Sequence, residues 1–271
     1  MFIYVVKIGA LGVSLLTEYI LDELADRNIK VRVFTTGSKM KYFEQSEFEN
    51  VLKNNPDLII FISPVAYFPN PRKVIDILRK KPLIVITNEL TPEFEETLSE
   101  EGIGYIVVKA DSMIGARREF LDPTEMTLYN SDLIKVLSIT GVFRKIQFEI
   151  DKTIDSIEKG KLSLPKLVID SEVAVNSAGF KNPYARSKAM AAYEIACLVS
   201  KISNRACFEE KDPKKYILLA STSHELMRIA ARLADEAREI EKTNDSVLRT
   251  PHAKTGEILR KEKLLEELSK H

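Results

Sequence analysis

Short apolar runs alternate with helical patterns over the first 110 residues of the chain. The runs are rich in β-branched and aromatic residues, which is typical of buried strands. Strands are predicted at residues 2–8, 30–37, 57–63, 82–87 and 104–110, and helices at 13–27, 44–55, 72–80 and 92–102. Strands that alternate with helices form parallel sheets, with right-handed crossovers and helices on both faces. The pattern therefore predicts an α/β fold for this part of the chain.

The character of the chain changes after Leu121. The sequence Asp122-Pro123-Thr124-Glu125 places a carboxylate at the N-cap, proline at the first helical position and Glu at the third. This arrangement indicates the start of a helix. We therefore expect an α/β cofactor-binding domain over residues 1–121 and a helical bundle with a small sheet segment over residues 122–271.

Helical spacing of apolar residues dominates the second predicted domain. Helices are predicted at residues 126–160, with a bend near Gly141, and at 183–203 and 221–245. Two apolar runs, 166–170 and 216–220, separate them and are predicted to be extended. Ser221 would then cap the last helix and place His224 in its first turn. A capping role is favoured there over that of a catalytic base.

The composition is that of a globular protein, with 45% hydrophobic and 30% charged residues. Its 40 basic and 40 acidic residues balance, so no long-range field favours nucleic acid or a membrane surface. The sequence has no apolar run of about 18 residues and no basic-then-apolar leader. We expect a soluble, cytoplasmic protein without nucleic-acid or membrane partners. Cys197 and Cys207 have no second pair and no adjacent His, so we expect buried or half-buried thiols and no metal site.

Ligands of parallel sheets bind beyond the carboxyl ends of the strands. Gly9 and Gly12 follow the first predicted strand, and Ser14 opens the helix after them. Glycines at this position let a phosphate approach backbone N–H groups and the positive end of the helix dipole. Leu15 occupies the third glycine position of the dinucleotide-binding motif, so a tight turn without a ligand is an equally weighted alternative.

The loops after the second and third strands complete this edge of the sheet. Thr35, Thr36, Ser38 and Lys39 stand where an acidic residue would bind the ribose of NAD. They suit a phosphate or an acidic group better, so the use of NAD is disfavoured. The predicted cofactor-binding residues are Gly9, Gly12, Ser14, Thr35, Lys39, Ser63 and Pro64.

A charged segment follows the fifth strand, where Lys109 and Asp111 leave the sheet at its ligand-binding edge. Arg117, Arg118 and Glu119 lie farther along, at the expected domain junction. They could brace the two halves by ion pairing, or face an acidic cofactor or a second subunit.

The sequence contains no nucleophile elbow, no HExxH motif and no Walker A motif. His252 lies in a predicted loop near Arg249 and could contact an anion. A reaction that needs mainly binding and orientation, such as direct hydride transfer between two bound molecules, fits the lack of an acid–base or nucleophilic constellation. Non-catalytic binding fits it as well.

The stretch 102-GIGYIVVKADSMIGARREFLDPTEMTLYNSDLIKVLSITGVFR-144 resembles the coenzyme F420-dependent methylenetetrahydromethanopterin dehydrogenases of methanogenic archaea. The resemblance continues through 182-NPYARSKAMAAYEIA-196 and 223-SHELMRIAARLADEAREIEKTNDSVLRTPHA-253, and it reaches back to 7-KIGALGVSLL-16. It therefore covers most of the chain, and the runs GARREFLDP and NDSVLRTPHA are long and specific.

The resemblance implies a Rossmann-like parallel-sheet domain, a helix bundle and a small antiparallel sheet segment, assembled as a hexamer built from dimers. It implies reversible hydride transfer between C5 of the 8-hydroxy-5-deazaflavin coenzyme F420 and the one-carbon bridge of a tetrahydromethanopterin, with no metal and no catalytic side chain. The coenzyme's phosphate and glutamyl tail would contact the turn from Gly9 to Ser14 and Lys39. The pterin would contact Lys109, Asp111, Met113, Arg117, Glu119 and His252.

Departures from the family pattern fall at the carboxyl ends of predicted strands. The family has Cys and Asn in place of Ile8 and Ala10, and proline in place of Ala110. It has a glycine- and proline-rich segment in place of 61-FISPVAYFPNP-71 and a Gly-Asp-Ala-Pro type of loop in place of 87-TNELT-91. Two alternatives to the dehydrogenase therefore stay open. One is a paralogue that uses reduced F420 on another pterin, for example a dihydromethanopterin reductase. The other is a non-catalytic protein that binds the pterin or F420.

Overall fold

The computed structural model describes residues 1–24, 27–112, 120 and 122–270. The chain forms two compact units. The first contains Met1–Val108 and Ile146–Val168, and the second contains Lys109–Lys145 and Ile169–His271. The chain thus leaves the first unit after Val108, returns to it at Ile146 and leaves it again after Val168.

A six-stranded sheet forms the centre of the first unit, in the order β2-β1-β3-β4-β5-β6. Its strands are β1 (Phe2–Lys7), β2 (Lys30–Thr35), β3 (Leu58–Ile62), β4 (Leu83–Thr87), β5 (Gly104–Val108) and β6 (Lys166–Ile169). The pairings among β1 to β5 are all parallel, which confirms the predicted parallel sheet. The strand order reverses between β1 and β3, and ligands of doubly wound sheets bind beyond the carboxyl ends of the strands at such a point.

Helices connect the strands of the first unit. They are α1 (Val13–Glu23), α2 (Gln45–Lys53), α3 (Pro69–Leu78), α4 (Pro92–Glu100) and most of α6 (Val142–Glu158). Thr91 caps α4 by accepting a hydrogen bond from Phe94 N, and proline occupies the first turn of α3 and of α4. Every residue of β3, β4 and β5 is buried, as expected for parallel strands with both faces covered. These buried strands hold the carboxyl edge of the sheet in place.

The apolar run 166–170 is extended as predicted, but it joins the main sheet as β6, beside β5. Tyr105 N donates a hydrogen bond to the carbonyl of Pro165, with 2.7 Å between the atoms. Gly104 permits this approach, because a Cβ at this position would lie 2.8 Å from Leu164 Cβ. Local apolar patterns do not show which strand a distant run will pair with.

The second unit is mainly helical. Its helices are α5 (Pro123–Ile139), α7 (Ser171–Ala178), α8 (Pro183–Asn204) and α9 (Pro213–Thr243), and α8 continues into a π-helical turn at Arg205–Glu209. Asp122 caps α5 as predicted, since its carboxylate accepts a hydrogen bond from Glu125 N at 2.7 Å. The antiparallel pair β7 (Leu259–Arg260) and β8 (Ser269–Lys270) confirms the predicted small sheet segment.

The prediction that residues 216–220 are extended is wrong. Helix α9 begins at Pro213, and the carboxylate of its N-cap Asp212 accepts a hydrogen bond from Lys214 N at 3.0 Å. The apolar run therefore lies in the first two turns of a 31-residue helix. The placement of His224 in a first turn capped by Ser221 is wrong for the same reason, because His224 lies well inside α9.

Gly141 separates two helices where the sequence predicts a bend in one. Helix α5 ends at Ile139, α6 begins at Val142, and Gly141 has a φ of 102°. This backbone conformation is one that residues with a Cβ rarely adopt. The break allows the chain to change from the second unit to the first within α6.

Arg144, near the start of α6, binds the segment that follows α9. Its guanidinium donates hydrogen bonds to the carbonyl oxygens of Ser177 (2.9 Å) and Leu248 (2.7 Å), and its Nε donates to Thr250 Oγ1 (3.3 Å). Burial lowers the pKa of Arg144 to about 10, and the nearby arginines 238 and 260 act in the same direction. The NDSVLRTPHA run thus has a structural function, since two of its residues accept hydrogen bonds from a largely buried cation.

Within the part of the chain that the structure describes, no helix is long and apolar enough to cross a membrane. The same residues contain no group of three or more His, Cys, Asp or Glu side chains that could hold a metal ion. Cys197 and Cys207 are half-buried thiols outside any disulfide, as predicted.

Candidate functional site

The turn after β1 lies where the strand order of the sheet reverses. Gly9 has a φ of 87°, and a Cβ added to it would lie 2.7 Å from Pro64 Cδ and 2.9 Å from Met40 Cγ. A side chain at this position would collide with both neighbours. The structure therefore brings Gly9 and Pro64 together as two predicted cofactor residues, and it adds Met40, which the sequence does not indicate.

Two buried serine hydroxyls lie in the same loops. Ser14 is in the first turn of α1 and is 6% exposed, and Ser63 follows β3 and is 0% exposed. Neither hydroxyl oxygen has a hydrogen-bond partner among the described residues. Gly12 is the N-cap of α1 and has no side chain of its own to cap this helix. Because a buried polar group without a partner destabilises a protein, these hydroxyls are suited to the polar atoms of a ligand.

The loop after β2 forms a compact turn beside β1. Thr35 pairs with Lys7 in the sheet register, and its Oγ1 accepts a hydrogen bond from Gly37 N at 3.0 Å. Thr36 Oγ1 donates to the carbonyl of Lys39 at 3.1 Å. The Lys39 side chain is exposed, so its ammonium can bind an anionic group at this edge.

Hydrogen bonds couple the loops after β3 and β4. Tyr67 Oη donates to Glu89 Oε1 at 3.0 Å, and the Thr87 hydroxyl donates to the carbonyl of Pro64 at 3.1 Å. Burial, followed by the hydrogen bond to Glu89, raises the pKa of Tyr67 to about 12, so its hydroxyl stays protonated. The Tyr67 ring meets Phe94 of α4 at 6.3 Å between centroids. These hydrogen bonds join loop 61–71 to loop 87–91, the two loops in which departures from the family pattern are expected.

Lys109 and Asp111 follow β5 in the sequence and belong to the second unit. Lys109 is exposed, whereas Asp111 is 0% exposed. Ser112 is also buried, and its hydroxyl shares a short hydrogen bond with that of Tyr129. Burial raises the pKa of Tyr129, and the charge of Asp111 adds to the effect. Asp111 therefore lies in a buried polar cluster, while Lys109 is open to solvent.

His224 joins this cluster from α9. Its ring stacks on Tyr129 with 4.4 Å between centroids, and its Nδ1 lies 3.5 Å from Glu125 Oε2. The sequence pattern does not indicate this cluster, because the apolar run 216–220 suggests a start of α9 later than the true one. The pair Asp212-Pro213 has the same form as Asp122-Pro123 and could have located the true start.

The remaining predicted substrate residues lie in two parts of the chain. Met113, Arg117 and Glu119, with Arg118, lie outside the described residues. His252 forms an antiparallel bridge with Ile258, in a hairpin near the small sheet of the second unit. Contacts of these side chains with a substrate stay predictions.

Comparison with known proteins points to one family over nearly the whole chain. The family model of methylene-5,6,7,8-tetrahydromethanopterin dehydrogenase matches residues 1–269. The chain is 52% identical over 263 residues to the F420-dependent methylenetetrahydromethanopterin dehydrogenase of Archaeoglobus fulgidus, covering 96% of each chain. It is 49% identical over 266 residues to the protein of the same name from Methanothermobacter thermautotrophicus, again covering 96% of each.

A solved structure is similar in backbone as well as in sequence. It is that of an F420-dependent methylene-tetrahydromethanopterin dehydrogenase in complex with methylene-tetrahydromethanopterin and coenzyme F420. The two chains align with a TM-score of 0.90 and 42% identity, and the alignment covers 99% of each. This likeness extends over both units of the fold.

Proposed function

Because the chain belongs to the methylenetetrahydromethanopterin dehydrogenase family, we propose that it transfers a hydride reversibly between coenzyme F420 and the one-carbon bridge of methylenetetrahydromethanopterin. The observation that carries this proposal is the full-length correspondence, with a TM-score of 0.90, to an enzyme that holds both compounds. The family resemblance inferred from the sequence is thereby confirmed.

The reaction requires little of the protein beyond binding and orientation. When both compounds are bound, the methylene carbon gives a hydride to C5 of the deazaflavin and becomes a methenyl cation, and the deazaflavin takes up a proton from solvent. The protein must hold two ring systems face to face and support the developing positive charge. No side chain has to remove a proton from the substrate, which agrees with the lack of an acid–base motif in the sequence.

We assign F420 to the carboxyl edge of the first unit. Gly9 lets Pro64 and Met40 pack closely at this edge, since a Cβ at this position would collide with both. The buried hydroxyls of Ser14 and Ser63 would exchange hydrogen bonds with polar atoms of the coenzyme. Gly12, Thr35 and Lys39 border the same edge, and the start of α1 and the Lys39 ammonium would attract the phosphate and carboxylates. These features together fit an anionic coenzyme.

We assign the pterin to the segment that follows β5. The proposed contacts are Lys109, Asp111, Met113, Arg117 and Glu119, with His252. Lys109 is exposed and can bind a ligand directly, whereas the buried Asp111 would act through the polar cluster that contains Ser112 and Tyr129. The assignment rests on the family resemblance of this segment.

We also infer that the enzyme assembles from copies of itself, as a dimer or hexamer, and works in the cytoplasm. The edge strand β2 exposes Val33, and α1 exposes Leu15 and Tyr19. Exposed apolar side chains and open sheet edges are commonly covered by a partner. Light scattering after size-exclusion chromatography tests the assembly, and a monomer at micromolar concentration would contradict it. The balanced, charge-rich composition supports the cytoplasmic location.

The decisive experiment mixes purified protein with F420 and methylenetetrahydromethanopterin. The absorbance of oxidised F420 should fall, and it should rise again when reduced F420 meets the methenyl compound. An absence of turnover at micromolar enzyme would contradict the proposal. Oxidation of reduced F420 by dihydromethanopterin, without turnover of the methenyl compound, would instead identify a pterin reductase. Tight binding of F420 without any turnover would identify a binding protein.

A further inference from the structure

Thr87, the last residue of β4, connects the loops that follow β3 and β4. Its side chain is 0% exposed. The Thr87 hydroxyl donates to the carbonyl of Pro64 at 3.1 Å, and the carbonyl of Glu89 at 3.3 Å is a second acceptor. The same hydroxyl oxygen accepts a hydrogen bond from Ala66 N at 3.3 Å. One buried hydroxyl group therefore holds both ends of the short stretch 64–66.

Backbone groups join the same two loops. Val65 and Glu89 form a parallel bridge beyond the ends of their strands, and Asn88 N donates to the carbonyl of Pro64 at 3.3 Å. The Asn88 side chain donates in turn to the carbonyl of Val108, at the end of β5, at 3.2 Å. We call the contacts of residues 87–89 with residues 64–67 the strap. The strap thus joins the loop after β3 to two neighbouring strands of the sheet.

The strap determines where Pro64 lies. Proline has no N–H group, so its backbone is held through its carbonyl oxygen, which accepts hydrogen bonds from Thr87 and Asn88. The Pro64 ring packs against Gly9, since a Cβ on Gly9 would lie 2.7 Å from Pro64 Cδ. Ser63, whose buried hydroxyl has no partner among the described residues, directly precedes Pro64. A shift of residues 64–66 would therefore move two of the proposed F420-binding residues relative to Gly9.

We propose that Thr87 is a positioning residue, whose hydroxyl holds the loop after β3 in the conformation in which Ser63 and Pro64 bind F420. Because its side chain is fully enclosed, Thr87 acts through this loop and does not contact the coenzyme itself. The inference rests on the proposed function for the identity of the coenzyme, but the hold on the loop can be measured without any ligand.

Three variants separate this role from general destabilisation. Thr87→Val keeps the shape of the side chain but leaves the buried Ala66 N–H without its acceptor, which is costly. Thr87→Ser keeps the hydroxyl. Thr153→Val is the matched control in the same unit, because Thr153 is 1% exposed and its hydroxyl donates to the carbonyl of Glu149, in its own helix α6, at 2.9 Å. Thr153 lines a cavity with residues 163–165, near the amino end of β5.

We expect the Michaelis constant for F420 to rise roughly tenfold in Thr87→Val, since small misplacements of binding groups are costly. The Michaelis constant for the pterin should stay within twofold. Thr87→Ser and Thr153→Val should stay within twofold of the wild type in both constants. An unchanged constant for F420 in Thr87→Val, or an equal rise of both constants, would overturn the proposal. A Thr87→Ser variant as impaired as Thr87→Val would also overturn it, because the hydroxyl is then present.

Hydrogen–deuterium exchange without ligands gives the second readout. The backbone amides of residues 64–71, followed by mass spectrometry, should exchange at least about fivefold faster in Thr87→Val than in Thr153→Val, as expected for a loop with fewer hydrogen bonds. Equal exchange rates in the two variants would overturn the proposal. A wild-type protein without turnover would refute the proposed function alone, since the exchange comparison would still decide whether the hydroxyl holds the loop.

Tyr67→Phe tests the strap by a milder change, which keeps the proposal testable should Thr87→Val fail to fold. It removes the hydrogen bond from Tyr67 Oη to Glu89 Oε1 and keeps the ring that meets Phe94. We expect a roughly threefold rise of the Michaelis constant for F420 and faster exchange of residues 64–71, with the constant for the pterin within twofold. Wild-type values for both the F420 constant and the exchange would overturn the proposal.

Discussion

Gly141 is a position where a single methyl group should destabilise the protein strongly. The residue joins α5 to α6 with a φ of 102°, and a Cβ added to it would lie 2.5 Å from Ala178 N and nearer still to the carbonyl oxygen of Ala174. Both atoms belong to the backbone of α7, which cannot rotate away as a side chain could. Gly141→Ala therefore forces α7 away from the α5–α6 junction.

The size of the effect follows from two contributions. A positive φ costs an L-residue about 1–2 kcal/mol, and inserting a methyl group into a closely packed site costs about 1–3 kcal/mol. Gly160→Ala is the matched control, just beyond the other end of α6. Gly160 has a φ of 67°, and nothing lies within 4 Å of an added Cβ. The control thus carries only the conformational cost.

Thermal unfolding followed by circular dichroism measures the difference in stability between Gly141→Ala and Gly160→Ala. The two variants are compared at equal protein concentration, because the protein is proposed to self-associate. At about 2–4 °C per kcal/mol, the midpoint for Gly141→Ala should lie roughly 2–12 °C below that for Gly160→Ala. Failure to obtain folded Gly141→Ala when Gly160→Ala folds agrees with the same reasoning. Equal midpoints for the two variants would refute it, because the close approach of α7 would then have no energetic consequence.

Two further predictions concern the sites. Gly9→Ala should raise the Michaelis constant for F420 roughly tenfold, because the new Cβ collides with Pro64 and Met40. Gly37→Ala in the neighbouring turn, where nothing lies within 4 Å of an added Cβ, should leave that constant near the wild-type value. Steady-state kinetics measures both constants, and an equal rise in the two variants would contradict the prediction. The second prediction is a pH dependence. The folded pKa of His224 lies below its ordinary value of 6.5, so its contribution to stability is present above about pH 6.5 and is lost as pH falls through the folded pKa. The unfolding midpoint should therefore fall more between about pH 7 and pH 5 in the wild type than in His224→Phe, and parallel pH curves would disprove this.

The sequence predicts those helices and strands that a pattern of a few neighbouring residues is enough to indicate. The N-cap carboxylate and proline before α5, and the apolar strands of the parallel sheet, are visible within a few residues. The run 216–220 misleads because a short apolar stretch suits either a strand or a buried face of a helix. Its true helical state depends on packing along the whole of α9, which a short window does not contain.

The candidate site is predictable to a similar degree. Gly9 and Pro64 follow from the rule that ligands bind at the carboxyl ends of parallel strands. The burial of Asp111 and the contact of His224 with Tyr129 depend on helices that pack from distant parts of the chain. Side-chain pairs of this kind, including Tyr67 with Glu89, are set by tertiary packing and leave no local pattern.

The position of β6 has a consequence for how the protein is made. Strand β5 ends at Val108, but the strand that covers its outer edge begins only at Lys166. During synthesis, the edge of β5 therefore stays unpaired until the whole of α5 and α6 has emerged, and an open apolar edge favours pairing with other chains. The first five strands can collapse early, but completion of their sheet must wait for a contact of long sequence separation, which slows folding. The nascent chain is thus most prone to aggregation just before this sheet closes.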